Sequence, residues 1–181
     1  MKLLNISGYP VPLDQLSQYS NLAIYPGSFN PLHEGHRGIF DLLNRNGYHV
    51  ICELSKTRYQ KPPYPEEKVK ELTSQFIGFS ELLVSDAPLF QNKRDQLSQF
   101  KPFWVMGFDT AKRWIDENKH VDQAEKNKIK EMKVLFIGRL INGEYYDPHS
   151  LLDGSEPYEH KIFPYHCDVS STQIRSKLDR L

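Results

Sequence analysis

The segment that decides the fold reads IYPGSFNPLHEGHRGIF and covers residues 24–40. An apolar run ends at Pro26, a stretch of glycine, serine, asparagine and proline follows, and a second apolar run closes the segment. This order predicts a strand, a tight turn and a helix that begins near Glu34. Gly27 allows a turn in which backbone amides face an anion, and Gly35 lets the backbone come close to a ligand.

Two histidines, His33 and His36, fall at the start of the predicted helix. Unpaired N–H groups in a first helical turn attract phosphate, and two imidazole donors there suit a polyphosphate whose charge grows in a transition state. A capping pair or a core pair fits the same residues. A zinc site would need further ligands, and no cysteine or Asp–His set lies nearby to supply them.

Strand-like and helix-like segments alternate along the chain. Strands are predicted at 21–26, 48–54, 81–86, 103–107 and 133–138, and helices at 35–46, 65–78, 91–99, 109–118, 121–131 and 170–181. Such alternation predicts an α/β fold, with a parallel sheet and helices on both of its faces. Ligands bind such sheets at the carboxyl ends of the strands, which is where the histidine segment falls.

Composition narrows the class of protein. The chain has 181 residues, 39% of them hydrophobic, which suits one domain over residues 1–181, with 139–160 as an ordered excursion. Its 23 basic residues balance 23 acidic ones, so a nucleic-acid partner is not expected. No signal or membrane segment is apparent, and Cys52 and Cys167 are expected to be free thiols. These features predict a cytoplasmic protein without a membrane partner.

The string GSFNPLHEGH at 27–36 closely resembles the G-S-F-[DN]-P-x-H-x-G-H signature of the nucleotidylyltransferase superfamily. Members of this superfamily have a Rossmann-like sheet and join a nucleoside triphosphate to a phosphorylated acceptor, releasing pyrophosphate. The resemblance implies a Rossmann-like parallel sheet of five or six strands. It assigns His33 and His36 to the α- and β-phosphates. The expected nucleotide-binding residues in this segment are Gly27, Ser28, Phe29 and Gly35.

A second motif, DVSSTQIR at 168–175, resembles the I-S-S-T-x-I-R motif of the same superfamily, with Val169 in place of isoleucine. Alone it would fit a serine N-cap followed by a solvated arginine. With the first motif, the resemblance implies that Thr172 and Arg175 hold the β- and γ-phosphates. Arginine binds phosphate through a rigid fork of donors. The hydroxyls and backbone amides of Ser170 and Ser171 are expected to contribute to the same site.

The third motif, FWVMGFDTAKRW at 103–114, contains the G-x-D pattern of pyridine-nucleotide adenylyltransferases. The resemblance implies that Gly107 and Asp109 contact the nucleotide and that Trp114 stacks on a pyridine ring. Asp109 could instead be a helix N-cap. Both Trp104 and Trp114 could be plain core residues, which is the expectation for Trp104 inside a strand.

The stretch ELSKTRYQKPP resembles a less studied set of nucleotidylyltransferase-like proteins that read ELS…N-x-x-K-P-P. That set also carries the GR pair that Gly138 and Arg139 form here. The basic residues of this stretch, Lys56, Arg58 and Lys61, are candidates for binding the acceptor phosphate. Arg139 could face the same pocket, although a single arginine after a strand is often a surface charge.

Together the motifs predict an enzyme that transfers AMP from ATP to a phosphorylated acceptor, most plausibly nicotinamide or nicotinate mononucleotide. Mg²⁺ is expected to arrive bound to ATP, without a protein-built metal site. The same chemistry with CTP or another acceptor stays open. A non-catalytic nucleotide-binding regulator is the alternative of another class, and the intact histidines and Arg175 argue against it.

Overall fold

The structure, a computed structural model, describes residues 1–57, 62–141 and 143–167. Contacts between Cα atoms divide the chain into two units, the first containing Met1–Pro102 and the second beginning at Phe103. The predicted helix at 170–181 lies outside the described residues. The expectation of one domain over the whole chain stays a prediction.

The first unit alternates strands and helices after an amino-terminal hairpin. Its strands are β1 (Lys2–Leu4), β2 (Pro10–Val11), β3 (Leu22–Gly27), β4 (His49–Ser55) and β5 (Leu82–Ser85). Its α-helices are α1 (Glu34–Arg45), α2 (Glu66–Ser74) and α3 (Phe90–Leu97), and short 3₁₀ helices cover Leu13–Gln18 and Ser98–Phe100. The strand order is β3-β4-β5-β1-β2, with β3, β4 and β5 parallel and β1 antiparallel to both of its neighbours.

The second unit continues the alternation. It contains β6 (Phe103–Gly107), α4 (Phe108–Asn118), α5 (Gln123–Lys130), β7 (Lys133–Ile137), β8 (Arg139–Ile141), β9 (Glu144–Tyr146), a 3₁₀ turn (Pro148–Leu151) and β10 (Glu159–Phe163). The strands β10, β7 and β6 are parallel in that order, and β8 pairs with β9 as an antiparallel hairpin.

All five predicted strands and the first five predicted helices are present within a few residues of their expected bounds. Apart from the β8–β9 hairpin, the ladders of the described residues involve eight strands, more than the five or six predicted. The additional strands are β1, β2 and β10, of which the first two are too short to show a pattern. The excursion at 139–160 is ordered, as expected, and contains the β8–β9 hairpin. None of the described helices has the length and apolar character to cross a membrane.

The strands β3 to β7 are buried along almost their whole length. Residues Val50 through Leu54 of β4 are all buried, as are Leu22 through Tyr25 of β3. Strands that are buried without alternation have both faces covered, which is the usual situation of parallel strands in α/β proteins. This is why continuous apolar runs in the sequence located these strands.

A buried ion pair lies inside this apolar unit. Glu53 of β4 is fully buried, and its carboxylate accepts a hydrogen bond of 2.6 Å from Lys93 Nζ on α3 and one of 2.5 Å from Ser85 Oγ. Removing one member of a buried ion pair leaves the other charge without compensation. The pair therefore fixes α3 against the carboxyl ends of β4 and β5.

Replacing Lys93 with methionine should destabilise the protein by about 3–5 kcal/mol, because the carboxylate of Glu53 would stay buried without its cation. The measurement is the free energy of unfolding in urea. Lys70, exposed and paired with Glu66 at 3.0 Å, provides the matched control, and Lys70→Met should barely change the unfolding midpoint. Equal effects of the two substitutions would contradict this account of the buried pair.

Both cysteines are free, as predicted. Cys52 lies on β4 and is 1% exposed, and this burial raises the pKa of its thiol to about 12. Because the thiolate is the reactive form, a thiol with so high a pKa stays protonated and inert near neutral pH. Cys167 is partly exposed.

We therefore expect one cysteine of the native protein to react with a thiol reagent such as DTNB in mildly alkaline buffer, and both to react after unfolding. Cys167→Ser should remove the native reaction, whereas Cys52→Ala should leave it. Rapid reaction of Cys52 in the native Cys167→Ser variant would show that β4 is more accessible than its burial indicates.

Candidate functional site

The first part of the candidate site lies where β3 ends and α1 begins. His33 is the N-cap of α1, with extended backbone (φ −141°, ψ 173°), and His36 is the third helical residue. The backbone N–H of His33 donates to Nδ1 of His36 at 3.3 Å. A neutral imidazole that accepts at Nδ1 carries its hydrogen on Nε2. His36 therefore has an Nε2–H group to donate to a ligand.

The two imidazoles lie together. Their ring centroids are 3.7 Å apart with planes at 28°, and both side chains are partly exposed. Because they stand at a helix N-terminus, they share this location with the backbone N–H groups of the first turn. Stacked rings and helix amides together form a group of donors suited to an anion of the size of a phosphate.

The side chain of Phe29 supports the histidine pair. It is fully buried, and its backbone is left-handed with φ of +43°. Its ring contacts the ring of His36 edge-on, at a centroid distance of 4.9 Å, and packs similarly against Tyr25 and Phe76. Phe29 therefore acts as an aromatic platform for His36.

Gly27 makes room for that platform. A Cβ atom at Gly27 would lie 2.6 Å from Cζ of Phe29, which is too close for two carbon atoms. The positive φ in this turn belongs to Phe29 and not to Gly27. The sequence pattern predicts that Gly27 permits the turn. The structure adds a second reason for glycine at this position, because any side chain there would clash with the ring of Phe29.

Gln75, which follows α2, holds the same loop and was not identified from the sequence. Its Oε1 accepts from the backbone N–H of Leu32 at 2.7 Å, and its Nε2 donates to the carbonyl of Phe29 at 3.4 Å. A glutamine far along the chain carries no pattern that would reveal such a contact. Of the other predicted residues here, Ser28 is exposed and Gly35 is buried in α1.

Lys56 lies in the loop after β4, at the same strand edge as Gly27, because the parallel register places Gly27 opposite Leu54. Its Nζ lies 3.0 Å from Asp86 Oδ1, and both side chains are largely exposed. The backbone N–H of Lys56 also donates to the carbonyl of Ser85. The other two acceptor candidates, Arg58 and Lys61, lie outside the described residues.

A second group of candidate residues lies in the second unit. Gly107 is the N-cap of α4, and Asp109 is the second helical residue, so the alternative of Asp109 as N-cap is wrong. Arg139 follows β7, and its Nη1 lies 2.5 Å from Oδ2 of Asp109. The register pairs Gly107 with Ile137, which places these two side chains at neighbouring strand ends.

Gly138 lies between β7 and Arg139. As at Gly27, the absence of a side chain leaves room for an aromatic ring. A Cβ atom there would lie 2.6 Å from Cζ of Tyr145 on β9. The β8–β9 hairpin therefore packs directly against the backbone that precedes Arg139. This contact fixes the arginine beside Asp109.

Trp114 lies further along α4 and is 5% exposed. Its ring meets Tyr158 edge-on, with centroids 5.1 Å apart, and it lines a cavity that is described below. Trp104, on β6, is 2% exposed and belongs to the core, as expected. The predicted triphosphate residues Ser170, Ser171, Thr172 and Arg175 all lie outside the described residues.

With this geometry established, the chain can be compared with known proteins. The model of the cytidylyltransferase-like family matches residues 24–177, and the chain therefore belongs to this family. This membership confirms the resemblance to the nucleotidylyltransferase superfamily.

Among curated proteins, a probable nicotinate-nucleotide adenylyltransferase from Klebsiella pneumoniae (strain 342) is 29% identical over 96 residues. The match covers 52% of this chain and 42% of that protein, so it spans less than half of the relative.

Two solved structures share the fold. One is the nicotinic acid mononucleotide adenylyltransferase of Plasmodium falciparum complexed with NaAD, with a TM-score of 0.59 at 18% identity. The other is the same enzyme complexed with APC, with a TM-score of 0.54 at 15% identity. Each comparison covers 86% of this chain and 82% of the other. These likenesses confirm the predicted Rossmann-like α/β fold.

The contact between Gly27 and Phe29 can be tested by substitution. Gly27→Ala should destabilise the protein by about 1–3 kcal/mol, because the new methyl group overpacks the ring of Phe29. Gly107→Ala is the matched control, since a Cβ atom there meets nothing within 4 Å. Unfolding in urea measures the stability, and histidine ring NMR signals should shift for His36 in the first variant alone. Equal stability losses would contradict the proposed close contact.

Proposed function

We propose that the protein is a nucleotidylyltransferase that transfers AMP from ATP to nicotinate or nicotinamide mononucleotide and releases pyrophosphate. The observation that carries this proposal is the pair of stacked imidazoles at the N-terminus of α1, with Nδ1 of His36 held by the backbone N–H of His33. Family membership and the names of the relatives support the same reaction.

The reaction needs no nucleophile from the protein. An oxygen of the acceptor's 5′-phosphate attacks the α-phosphorus of ATP, and the bond from that phosphorus to the oxygen bridging to the β-phosphate breaks. The bond electrons leave with pyrophosphate. Catalysis then depends on holding the reactants in line and on stabilising the charge that grows on the phosphate oxygens.

In this mechanism His33 and His36 bind the α- and β-phosphates. The geometry supports the role of His36 most directly, because its acceptor nitrogen is engaged by the backbone and its donor nitrogen is the remaining one. Preorganised donors of this kind stabilise a transition state because they need no reorientation as the charge develops. Backbone groups of Gly27, Ser28 and Phe29 would line the same site.

The motif at the end of the chain completes the proposal. Thr172 and Arg175 would hold the β- and γ-phosphates, with help from Ser170 and Ser171. Asp109 would contact the nucleotide from the second unit, and Gly107 would allow close approach of the backbone. These assignments rest on the resemblance of the motifs.

Magnesium would enter with ATP, held by phosphate oxygens and water, and would neutralise part of the triphosphate charge. Among the described residues, no group of three or more His, Cys, Asp or Glu side chains is arranged to hold a metal ion.

The acceptor is proposed from the relatives, two of which are nicotinic acid mononucleotide adenylyltransferase structures, one containing NaAD. Lys56, Arg58 and Lys61 are candidates for its phosphate, and Lys56 would have to exchange Asp86 for the ligand. A stacking role of Trp114 on the pyridine ring stays a prediction. We also place the reaction in the cytoplasm.

Removing the imidazole of His36 tests the mechanism. His36→Ala should lower kcat by roughly 10²–10³, as loss of one preorganised donor does in other enzymes. His36→Gln, which keeps an N–H donor on a side chain of similar reach, should recover part of this loss. The measurement is pyrophosphate release with ATP and each mononucleotide, and the exposed His120→Ala is the matched control.

Near-normal turnover of His36→Ala would overturn the assignment of this residue. The same assay, run with CTP and with other phosphorylated acceptors, separates the alternative substrates. Binding of ATP without pyrophosphate release across the whole panel would favour a non-catalytic nucleotide-binding regulator.

A further inference from the structure

A cavity of about 490 Å³ lies in the second unit, and of its lining residues Trp114 alone is a candidate for the acceptor site. Its walls come from the end of α4, from α5 and from the segment that leads into β10. The residues on which the inference rests are Trp114, Asn118, Lys126, Ile129, Lys130 and Tyr158. Pockets for small molecules commonly enclose roughly 300–1,000 Å³, so this volume is sufficient for one.

The cavity lies at the opposite strand ends from Asp109. Asn118 ends α4, Ile129 lies just before β7, and Tyr158 lies immediately before β10, so all three are near the amino ends of the strands. Gly107 and Arg139 are at the carboxyl ends. Along α4, Trp114 lies five residues and Asn118 nine residues beyond Asp109, so these cavity residues are roughly 7.5 and 13.5 Å from Asp109 along the helix axis.

The floor of the cavity is aromatic and apolar. Trp114, Tyr158 and Ile129 are each less than 10% exposed, and the rings of Trp114 and Tyr158 meet at 65°. An edge-on pair of rings leaves aromatic surface against which another flat ring can pack. The floor therefore favours a planar, aromatic ligand.

The polar groups of the cavity favour an anion. The side-chain amide nitrogen of Asn118 is buried and has no hydrogen-bond partner among the described residues. Lys126 and Lys130 are one turn apart on α5, both exposed, and neither forms an ion pair within the described part of the chain. A buried donor and two cations together suit a ligand that carries an acceptor group with negative charge.

The acidic residues of the lining are already engaged. The carboxylate of Asp153 accepts hydrogen bonds from the backbone N–H and the hydroxyl of Ser155, at 2.9 and 2.6 Å. Glu156 Oε1 accepts from the backbone N–H of Asp153 at 2.8 Å. These bonds hold both ionised carboxylates to their own loop, whereas Lys126 and Lys130 have no such partner within the described part of the chain.

We propose that this cavity binds a small aromatic ring that carries one anionic group, such as an aromatic carboxylate. The ring packs against Trp114 and Tyr158, and the anionic group accepts a hydrogen bond from Asn118 and faces Lys126 and Lys130. The proposal assigns Trp114 to this ligand instead of to the pyridine ring of the acceptor, and none of the other cavity residues has a role in the proposed reaction.

Indole N–H signals in ¹H–¹⁵N NMR spectra of the full chain test the proposal. The chain has two tryptophans, and Trp114→Phe identifies the signal of Trp114. Benzoate is the probe, and its two controls are benzamide, which lacks the charge, and cyclohexanecarboxylate, which lacks the aromatic ring. Benzoate should shift the Trp114 signal saturably with a dissociation constant of about 1 mM, leave Trp104 unmoved, and bind at least about fivefold more tightly than either control.

Substitutions separate the contributions of the polar groups. Replacing Lys126 and Lys130 together with glutamine should weaken benzoate at least about fivefold and leave benzamide unchanged. Asn118→Leu should weaken both ligands, and Lys112→Gln, on the exposed face of α4, is the matched control. The lysines are exposed, so their removal leaves the fold intact and keeps the test valid if Asn118→Leu does not fold.

Three outcomes would overturn the proposal. One is the absence of a saturable shift of Trp114 at up to about 20 mM benzoate. Another is equal binding of cyclohexanecarboxylate or of the double lysine variant. The third is competition between benzoate and the mononucleotide in the pyrophosphate assay, which would make the cavity the ring pocket of the acceptor. Uncompetitive, noncompetitive or absent effects on turnover, together with the NMR shift, support a separate site.

Discussion

The packing of Phe29 on the bare backbone of Gly27 is the contact on which the candidate site depends. The ring fits only because Gly27 has no side chain, and the same ring then supports His36 from below. The backbone of Phe29 is left-handed and strained, and the packing of its buried ring stabilises this conformation. Glycine and phenylalanine in this motif are therefore one structural unit, and the histidine pair is positioned by it.

Polar side chains position the loops around the sheet edge. Gln75 bonds to the backbone on both sides of the turn that carries the motif, and Glu53 ties α3 to β4 through Lys93. Gln75 forms its hydrogen bonds with loop backbone, and Glu53 forms its hydrogen bonds with other buried side chains, as polar groups in apolar surroundings generally do. Stability of the strands thus comes from apolar burial, whereas the placement of the loops comes from a few specific polar bonds.

The sequence revealed those parts of the molecule that have a local pattern. Continuous apolar runs located β3 to β7, because strands buried on both faces need such runs. The strands β1 and β2 were not predicted, because a strand of two or three residues shows no periodicity. Gln75 and the pairing of Asp109 with Arg139 were missed for another reason. They join residues that are far apart in the chain, and only the fold brings such residues together.

Two solvent-accessible ion pairs near the strand ends involve residues that are candidates for binding the nucleotide or the acceptor. Lys56 is paired with Asp86, and Asp109 with Arg139, so each must exchange a protein partner for a ligand before it can take part in binding. Exposed pairs contribute only about 0–1 kcal/mol, so this exchange costs little. In the proposed reaction the α1 amides and His36, which packing holds in place, would bind phosphate, whereas these ionic groups could serve different acceptors. Selectivity for one acceptor would then depend on which ligand completes that exchange best.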